Sequence, residues 1–347
     1  MKVSRVDSAV GSILEVELQD GEEAVVVSDT HLGLRFRGRS LSRYEDFAEF
    51  LAKYCRDEKV SLVVLLGDIF EFWNASVGDI VRSAYDPVKE LAKADKTIVY
   101  VAGNHDRIIA NLRLESRRGR GDLYVVPDFF ILKVGGRRFL LLHGHQLDTL
   151  FLRVKSLWKL QSYIYVLSES LFYLPGPLEW VFAGLSTLIL LLILATFGVS
   201  SLSGELLLGL AAFFLLSPMI ILSWRKLQDK VWYGLIQGLA ARVFRSRLRG
   251  KSLSNIAVSK PLHALLDMLE SVPEIGRVDG VILGHTHVPE LLVENSRIFA
   301  NSGSWVENGV NDCCTFVRLS SRLIELGKWE GGVAKTLRTA ELPAEQL

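Results

Sequence analysis

Five short apolar runs in this chain each end in residues that can bind a metal ion. Val60–Leu66 runs into Gly67-Asp68 and on through Ile69-Phe70-Glu71-Phe72-Trp73. Ala24–Ser28 leads to Asp29 and His31, and Thr97–Ala102 to Asn104, His105 and Asp106. Arg138–Leu142 leads to His143 and His145, and Val281–Leu283 to His285 and His287. A β-branched run apolar at nearly every position is a strand buried on both faces. In open sheets of that kind, ligands gather at the carboxyl ends of the strands. Taken singly, a Gly-Asp pair after a strand only turns the chain. As a set, these residues point to a metal cluster with Asp68 as its central carboxylate. Six of the seven histidines lie at these strand ends, and His263 reads as an ordinary helix residue.

Between the runs lie helical patterns. Leu41–Glu58 places Leu41, Phe47, Phe50, Leu51 and Tyr54 at helical spacing, and Tyr85–Ala94 and Pro261–Ser271 also read as helices. This alternation specifies an α/β fold. Phe129–Val134 and Arg138–Leu142 flank Gly135-Gly136, a hairpin signal. Alternating stretches at Leu291–Glu294, Arg297–Asn301, Thr315–Leu319 and Leu323–Leu326 read as antiparallel strands of a second sheet. The length of 347 residues allows one large domain or two ordinary ones. A net charge of +1 argues against a globally basic nucleic-acid binder. Cys55 stands alone and Cys313-Cys314 are adjacent, a pattern that suits a reducing compartment. The first 24 residues lack the apolar core of a secretory signal.

Mixed oxygen and imidazole ligands suit Mn²⁺, Fe or Zn²⁺ better than Mg²⁺ or Ca²⁺. A cluster this rich in ligands favours two ions, which at about 3.5–4 Å apart can clamp the attacking and leaving oxygens of a phosphoryl displacement. Asp29-x-His31, Gly67-Asp68, Gly103-Asn104-His105-Asp106, His143 and Gly284-His285-Thr286-His287 resemble, in order and spacing, the five motifs of the calcineurin-like metallophosphoesterases. The resemblance implies a double β-sandwich flanked by helices (αββα). It implies two divalent ions, Mn²⁺ first and Fe or Zn²⁺ as alternatives. Asp29, His31, Asp68 and His287 would hold one, and Asp68, Asn104, His143 and His285 the other. Asn104 and His105 would stabilise the transition state, with His105 oriented by Asp106. Within the superfamily, Ser28-Asp29-x-His31-Leu32-Gly33, Gly67 to Trp73, Gly284 to Pro289 and Gly303-Ser304-Trp305 are similar to the UDP-2,3-diacylglucosamine hydrolases, which cut a pyrophosphate in a nucleotide-linked lipid. Those enzymes typically carry Arg where this chain has His105, and Asp where it has His145. Ser302 to Trp305 either lines the cleft or is a tight turn packed by Trp305.

The middle of the chain differs in kind. Between Glu179 and Arg225 the only charged residue is Glu205. Trp180–Val199 and Leu206–Trp224 are each near the ~20 residues that span a bilayer, and Ser200 to Gly204 is a small polar turn between them. Lys and Arg flank both outer ends, and Tyr173, Trp180, Trp224, Trp232 and Tyr233 sit where an aromatic belt would. A spanning hairpin, a re-entrant one and a pair of buried helices all remain open. Phe151–Leu174 reads as an amphipathic surface helix. Arg242, Arg245, Arg247, Arg249 and Lys251 form either a lipid-facing basic face or a clamp on substrate phosphate. Glu71, Arg107, His145, Arg245, Arg249 and Lys251 are the candidate substrate-binding residues. The expected organisation is a phosphoesterase domain split into 1–150 and 261–347 by a helical insertion, 151–260, that carries the membrane hairpin.

The expected protein is a two-metal phosphoesterase, integral to the cell membrane through its hairpin, with its catalytic halves on the cytoplasmic side. Its partners would be the bilayer and a nucleotide-diphosphate lipid, not nucleic acid. A nuclease or nucleotide diesterase, or a metal-stabilised membrane module without turnover, would fit the same ligands with a different task.

Overall fold

The computed structural model describes residues 1–8, 11–111, 122–147, 250–307 and 312–342, with the helical positions Leu185, Leu188, Ile189, Leu192, Thr196, Leu206 and Gly209. The chain divides into two compact units. One is Met1–Ile164 with Ser246–Leu347, and the other is Tyr165–Arg245.

The larger unit begins with an antiparallel pair, β1 (Lys2–Ser8) and β2 (Gly11–Glu17), followed by β3 (Glu23–Val27). A two-residue ladder, β4 (Arg35–Phe36) with β5 (Arg39–Ser40), precedes helix α1 (Tyr44–Tyr54). Next come β6 (Val60–Leu66), α2 (Val77–Lys93), β7 (Thr97–Val101), β8 (Leu123–Val126), β9 (Phe129–Val134) and β10 (Arg137–Leu142). After the insertion come α3 (Leu253–Ala257), α4 (Lys260–Glu270), β11 (Gly280–Leu283), β12 (Glu290–Glu294) and β13 (Arg297–Asn301). The last strands are β14 (Thr315–Leu319), β15 (Leu323–Glu330) and β16 (Val333–Glu341).

These strands make two seven-stranded sheets, ordered β1-β2-β9-β10-β11-β13-β12 and β16-β15-β14-β3-β6-β7-β8. Their facing sides share one core: Leu14 and Val16, Phe130 and Leu132, Phe139 and Leu141 of the first sheet meet Leu62, Val64 and Leu66, Val99 and Val317 of the second. On the outer face of the second sheet, Val63 and Leu65 pack with Phe47, Phe50 and Leu51 of α1. On the outer face of the first, Leu140 and Val281 pack with Leu253 and Ile256 of α3 and Leu262, Leu266 and Leu269 of α4. The layers therefore run helix, sheet, sheet, helix, the expected αββα sandwich. Continuous apolarity in β6 follows directly, because its side chains alternate between two cores.

Some elements differ from the sequence reading. Helix α2 begins at Val77 rather than Tyr85, because the Ser76 hydroxyl caps it by accepting from the Asp79 amide at 3.2 Å. Helix α1 is shorter than Leu41–Glu58: Leu41 donates its amide to Leu34 in a loop instead. The strands β1, β2, β8 and β16 went unread. In β16 almost every residue is exposed, so it carries no apolar alternation to find.

In the smaller unit, the described residues Leu185, Leu188, Ile189 and Leu192 are helical and 50–60 % exposed. Among the described residues no helix is long and apolar enough to cross a membrane. Most of the expected hairpin, 180–199 and 206–224, lies outside the described residues, as do 151–174, Arg245 and Arg249.

Candidate active site

Each candidate ligand follows a strand through a tight turn. Asp29, His31, Asp68, His285 and His287 all have positive φ, between 43° and 68°. That left-handed region disfavours side chains with a Cβ and is held only where surrounding contacts over-determine it. Those contacts link the turns to one another. The amides of Asp29 and His31 donate to the carbonyls of Gly67 and Asp68 at 3.0 and 2.9 Å. The Gly284 amide donates to the His143 carbonyl at 3.0 Å, and the His285 amide to Asp29 Oδ2 at 2.8 Å. The His105 amide donates to Asp68 Oδ1 at 2.8 Å. The site is thus a set of strand-end loops bonded edge to edge across two sheets. Gly67 shows how close they lie: with φ +82°, a Cβ there would sit 2.6 Å from the His143 ring.

Among the described residues a partly buried group of potential metal ligands, His31–Glu71–His105, accompanies two fully buried triads, Asp29–His31–His287 and Asp68–His143–His285. Asp68 lies between them. Its Oδ2 is 3.1 Å from His143 Nε2 and 3.9 Å from His31 Nε2. Asp29 Oδ1 is 3.1 Å from His287 Nε2 and 3.8 Å from His31 Nε2. The imidazoles are aimed from behind. His143 Nδ1 donates to the Leu66 carbonyl at 2.9 Å and His31 Nδ1 to Glu71 Oε2 at 2.6 Å, which leaves each Nε2 facing the cluster.

A divalent ion fits this donor set. Asp29 Oδ1, His31 Nε2, Asn104 Oδ1 and His143 Nε2 are buried without a hydrogen-bond partner, and buried polar atoms seldom go unbonded. The electrostatics agree. Burial pushes the carboxyls of Asp29 and Asp68 up, yet the histidines outweigh it: His287 and His143 hold Asp29, and His143 and His105 hold Asp68, well below the carboxylate range. Burial likewise opposes charge on His31 and His143. Asp29 and Glu71 nevertheless raise His31 to about 10, and Asp68 and Asp29 raise His143 to about 9. Burial and His143 lower His285 to about 3. A pocket whose carboxylates draw protons onto two of its histidines is short of positive charge, which a divalent ion supplies.

The structure reassigns two residues. Asp106 does not orient His105: its carboxylate accepts from Tyr100 Oη at 2.5 Å and from the amides of Ile69 and Gly103, each at 2.7 Å. It ties the loop after β6 to the loop after β7. The orienting carboxylate is Glu71, expected at the substrate but fully buried, with Oε1 accepting from His105 Nδ1 at 2.7 Å and Oε2 from His31. One carboxylate therefore aims a metal ligand and the neighbouring imidazole together. Its place three residues after Asp68 was the only hint in the sequence. The Trp73 ring stacks on His105 at 4.2 Å.

The other candidates scatter. His145 is buried 5.5 Å, ring to ring, from His143, outside both triads, and burial with His143 and His285 keeps it well below the usual imidazole range. Arg107 is tied to the Pro127 carbonyl and to Asp128 at 2.9 Å. Lys251 is exposed next to Gly250, whose amide donates to the Thr286 carbonyl between the two histidines of the last motif, at 2.8 Å. Trp305 is fully buried against Phe47 and Phe50, so Ser302 to Trp305 is a packed turn. It nonetheless supports the site, because the Trp305 amide and the Ser304 hydroxyl donate to the Asp29 carbonyl at 3.0 and 3.1 Å.

Buried carboxylates and imidazoles at the strand ends of an αββα sandwich define a metal-dependent hydrolase centre. Residues 24–182, a little under half of the chain, match the family model described as calcineurin-like phosphoesterase. Among solved structures, a dimetal phosphatase from Danio rerio shares 16 % identity over 92 % of this chain and 99 % of that one, with a TM-score of 0.42. The E. coli phosphoesterase Yfce shares 11 % over 92 % and 98 %, TM-score 0.37. Zn²⁺-complexed Vps29 from Entamoeba histolytica shares 13 % over 92 % and 98 %, TM-score 0.36.

Proposed function

We propose that this phosphoesterase holds two metal ions bridged by Asp68, is integral to the cell membrane through a hairpin with its catalytic domain on the cytoplasmic side, and hydrolyses the pyrophosphate of a nucleotide-diphosphate-linked lipid to release a nucleoside monophosphate. The observation that carries the reading is the position of Asp68 between two ligand triads. Asp29, His31, Asp68 and His287 would hold one ion, and Asp68, Asn104, His143 and His285 the other, with Mn²⁺ favoured by the mixed donors. Such ions, when bound, activate water and neutralise charge on phosphoryl oxygens.

The chain supplies the remaining chemistry. His105, with Nδ1 held by Glu71, has Nε2 left to protonate the departing oxygen or to donate to the charge that develops at phosphorus. Exclusion of water falls to the buried loops around Asp29 and Asp68. The lipid part of the proposal draws on the two apolar segments, their basic and aromatic flanks, the exposed apolar residues Leu185, Leu188, Ile189 and Leu192, and the motif similarity to the UDP-2,3-diacylglucosamine hydrolases.

The test uses purified full-length protein with Mn²⁺ and vesicles containing UDP-diacylglucosamine or CDP-diacylglycerol. UMP or CMP is the expected product, and Asp68→Asn should abolish its release. Turnover of small soluble diesters alone would reject the lipid substrate, and competition by single-stranded DNA would point to a nuclease.

A further inference from the structure

Just before β14, Cys313 and Cys314 bring two sulfurs together. In an extended strand, neighbouring side chains point to opposite faces. Cys314 instead has φ +62°, immediately before β14, and this left-handed residue breaks the alternation. Both thiols come to one side, the Cys314 S–H directed at Cys313 Sγ at 3.6 Å. Cys313 is half-buried and Cys314 buried. The Cys314 S–H, working against burial and helped by Arg43 and Lys328, lowers the Cys313 thiol to about 6. Of the two thiols, Cys313 is thus the readier to lose its proton and reach the thiolate, the nucleophilic form.

We infer that Cys313 and Cys314 are a peroxide-responsive site that closes reversibly to a vicinal disulfide and thereby disturbs the support of Asp29. The Cys313 thiolate attacks one oxygen of hydrogen peroxide, the O–O bond breaks, and Cys313 becomes a sulfenic acid as hydroxide leaves and is protonated to water. The Cys314 sulfur then attacks the Cys313 sulfur. The S–O bond breaks, and the hydroxyl leaves as a second water with the proton from Cys314. Two thiols are oxidised to one disulfide, and the peroxide is reduced to two waters. Adjacent residues lie closer at Cα than an ordinary bridge allows, so this disulfide is strained and easily reopened by a dithiol.

The route to the metal site is short. The Cys314 amide donates to the Ser304 carbonyl at 2.8 Å, and Ser304 and Trp305 hold the Asp29 carbonyl. Drawing the sulfurs together must rotate the Cys313–Cys314 peptide, and with it the amide that fixes this turn. The coupling rests on the metal-site reading, whereas formation of the disulfide does not.

Full-length protein treated with hydrogen peroxide should lose two hydrogens from the peptide carrying Cys313 and Cys314, and dithiothreitol should restore them. Hydrolysis of bis(p-nitrophenyl) phosphate should fall severalfold on oxidation and recover on reduction, and Cys313→Ser should make it insensitive. Cys55, which burial raises to about 11, serves as an internal control and should stay unmodified. A sulfinic acid or an intermolecular crosslink in place of the bridge overturns the site. The bridge with unchanged hydrolysis overturns the coupling, as does equal sensitivity of the Cys313→Ser variant.

Discussion

At the residue scale, the two buried carboxylates near His105 do different work, and substitution separates them. Glu71 aims His31 and His105 at once, and a glutamine can accept from only one of the two imidazoles. Glu71→Gln should lower turnover or metal affinity about 10–100-fold, the usual cost of losing such a support. Asp106 ties loops together, so Asp106→Asn should instead cost about 1–3 kcal/mol of stability, because one amide oxygen cannot accept from Gly103 on one side and from Ile69 and Tyr100 on the other. Thermal melting beside metal titration distinguishes the two outcomes. A second prediction concerns protons. Without metal, His31 and His143 hold protons up to about 10 and 9, so metal must displace them. Binding should release protons and tighten as pH rises through neutrality, as calorimetry in buffers of different ionisation heat will report. Both histidines are raised above their ordinary 6.5 in the folded protein. Their contribution to the metal-free protein is thus complete below that pH and lost as pH climbs through about 9–10, which melting of stripped protein measures.

At the scale of elements, the turns after the strands carry the cost of the site. Five candidate ligands sit in left-handed conformations, and Gly67 takes φ +82° with the His143 ring packed over its hydrogen. A Cβ at Gly67 meets both the backbone preference and the imidazole. Gly67→Ala should therefore lower stability by roughly 1–3 kcal/mol and also displace His143, a coupled loss of melting temperature and metal content. Helix α2 offers a contrast. Its Ser76 cap is local, so Ser76→Ala should cost about 1 kcal/mol without touching metal binding.

At the scale of the molecule, the catalytic unit is assembled from both ends of the chain, with 24–147 and 250–342 sharing one sandwich core. The segment between them is the part proposed to meet the bilayer. Replacing Leu188, Ile189 and Leu192 by lysine should move the protein from the membrane pellet to the supernatant after fractionation, while hydrolysis of a soluble diester persists. Retention in the pellet would remove the anchor from the proposal.

What the sequence determined by itself was the layers and the candidate ligands at the ends of their strands. β6 is apolar at every position but Ser61, so it must lie between two cores, and Asp68 must emerge at its end. The same logic placed Asp29, Asn104, His143, His285 and His287. It could not say which carboxylate faces which imidazole, because Glu71 and Asp106 each lie close to His105 in sequence or motif and differ only in where their loops turn. Nor could it find β16, whose exposed residues carry no period. Tertiary structure decided those points through hydrogen bonds between strand ends remote in sequence: Asp29 with His285, His105 with Asp68, Cys314 with Ser304. Periodicity records only which face is buried, whereas orientation at a metal site depends on contacts between turns that no local pattern encodes.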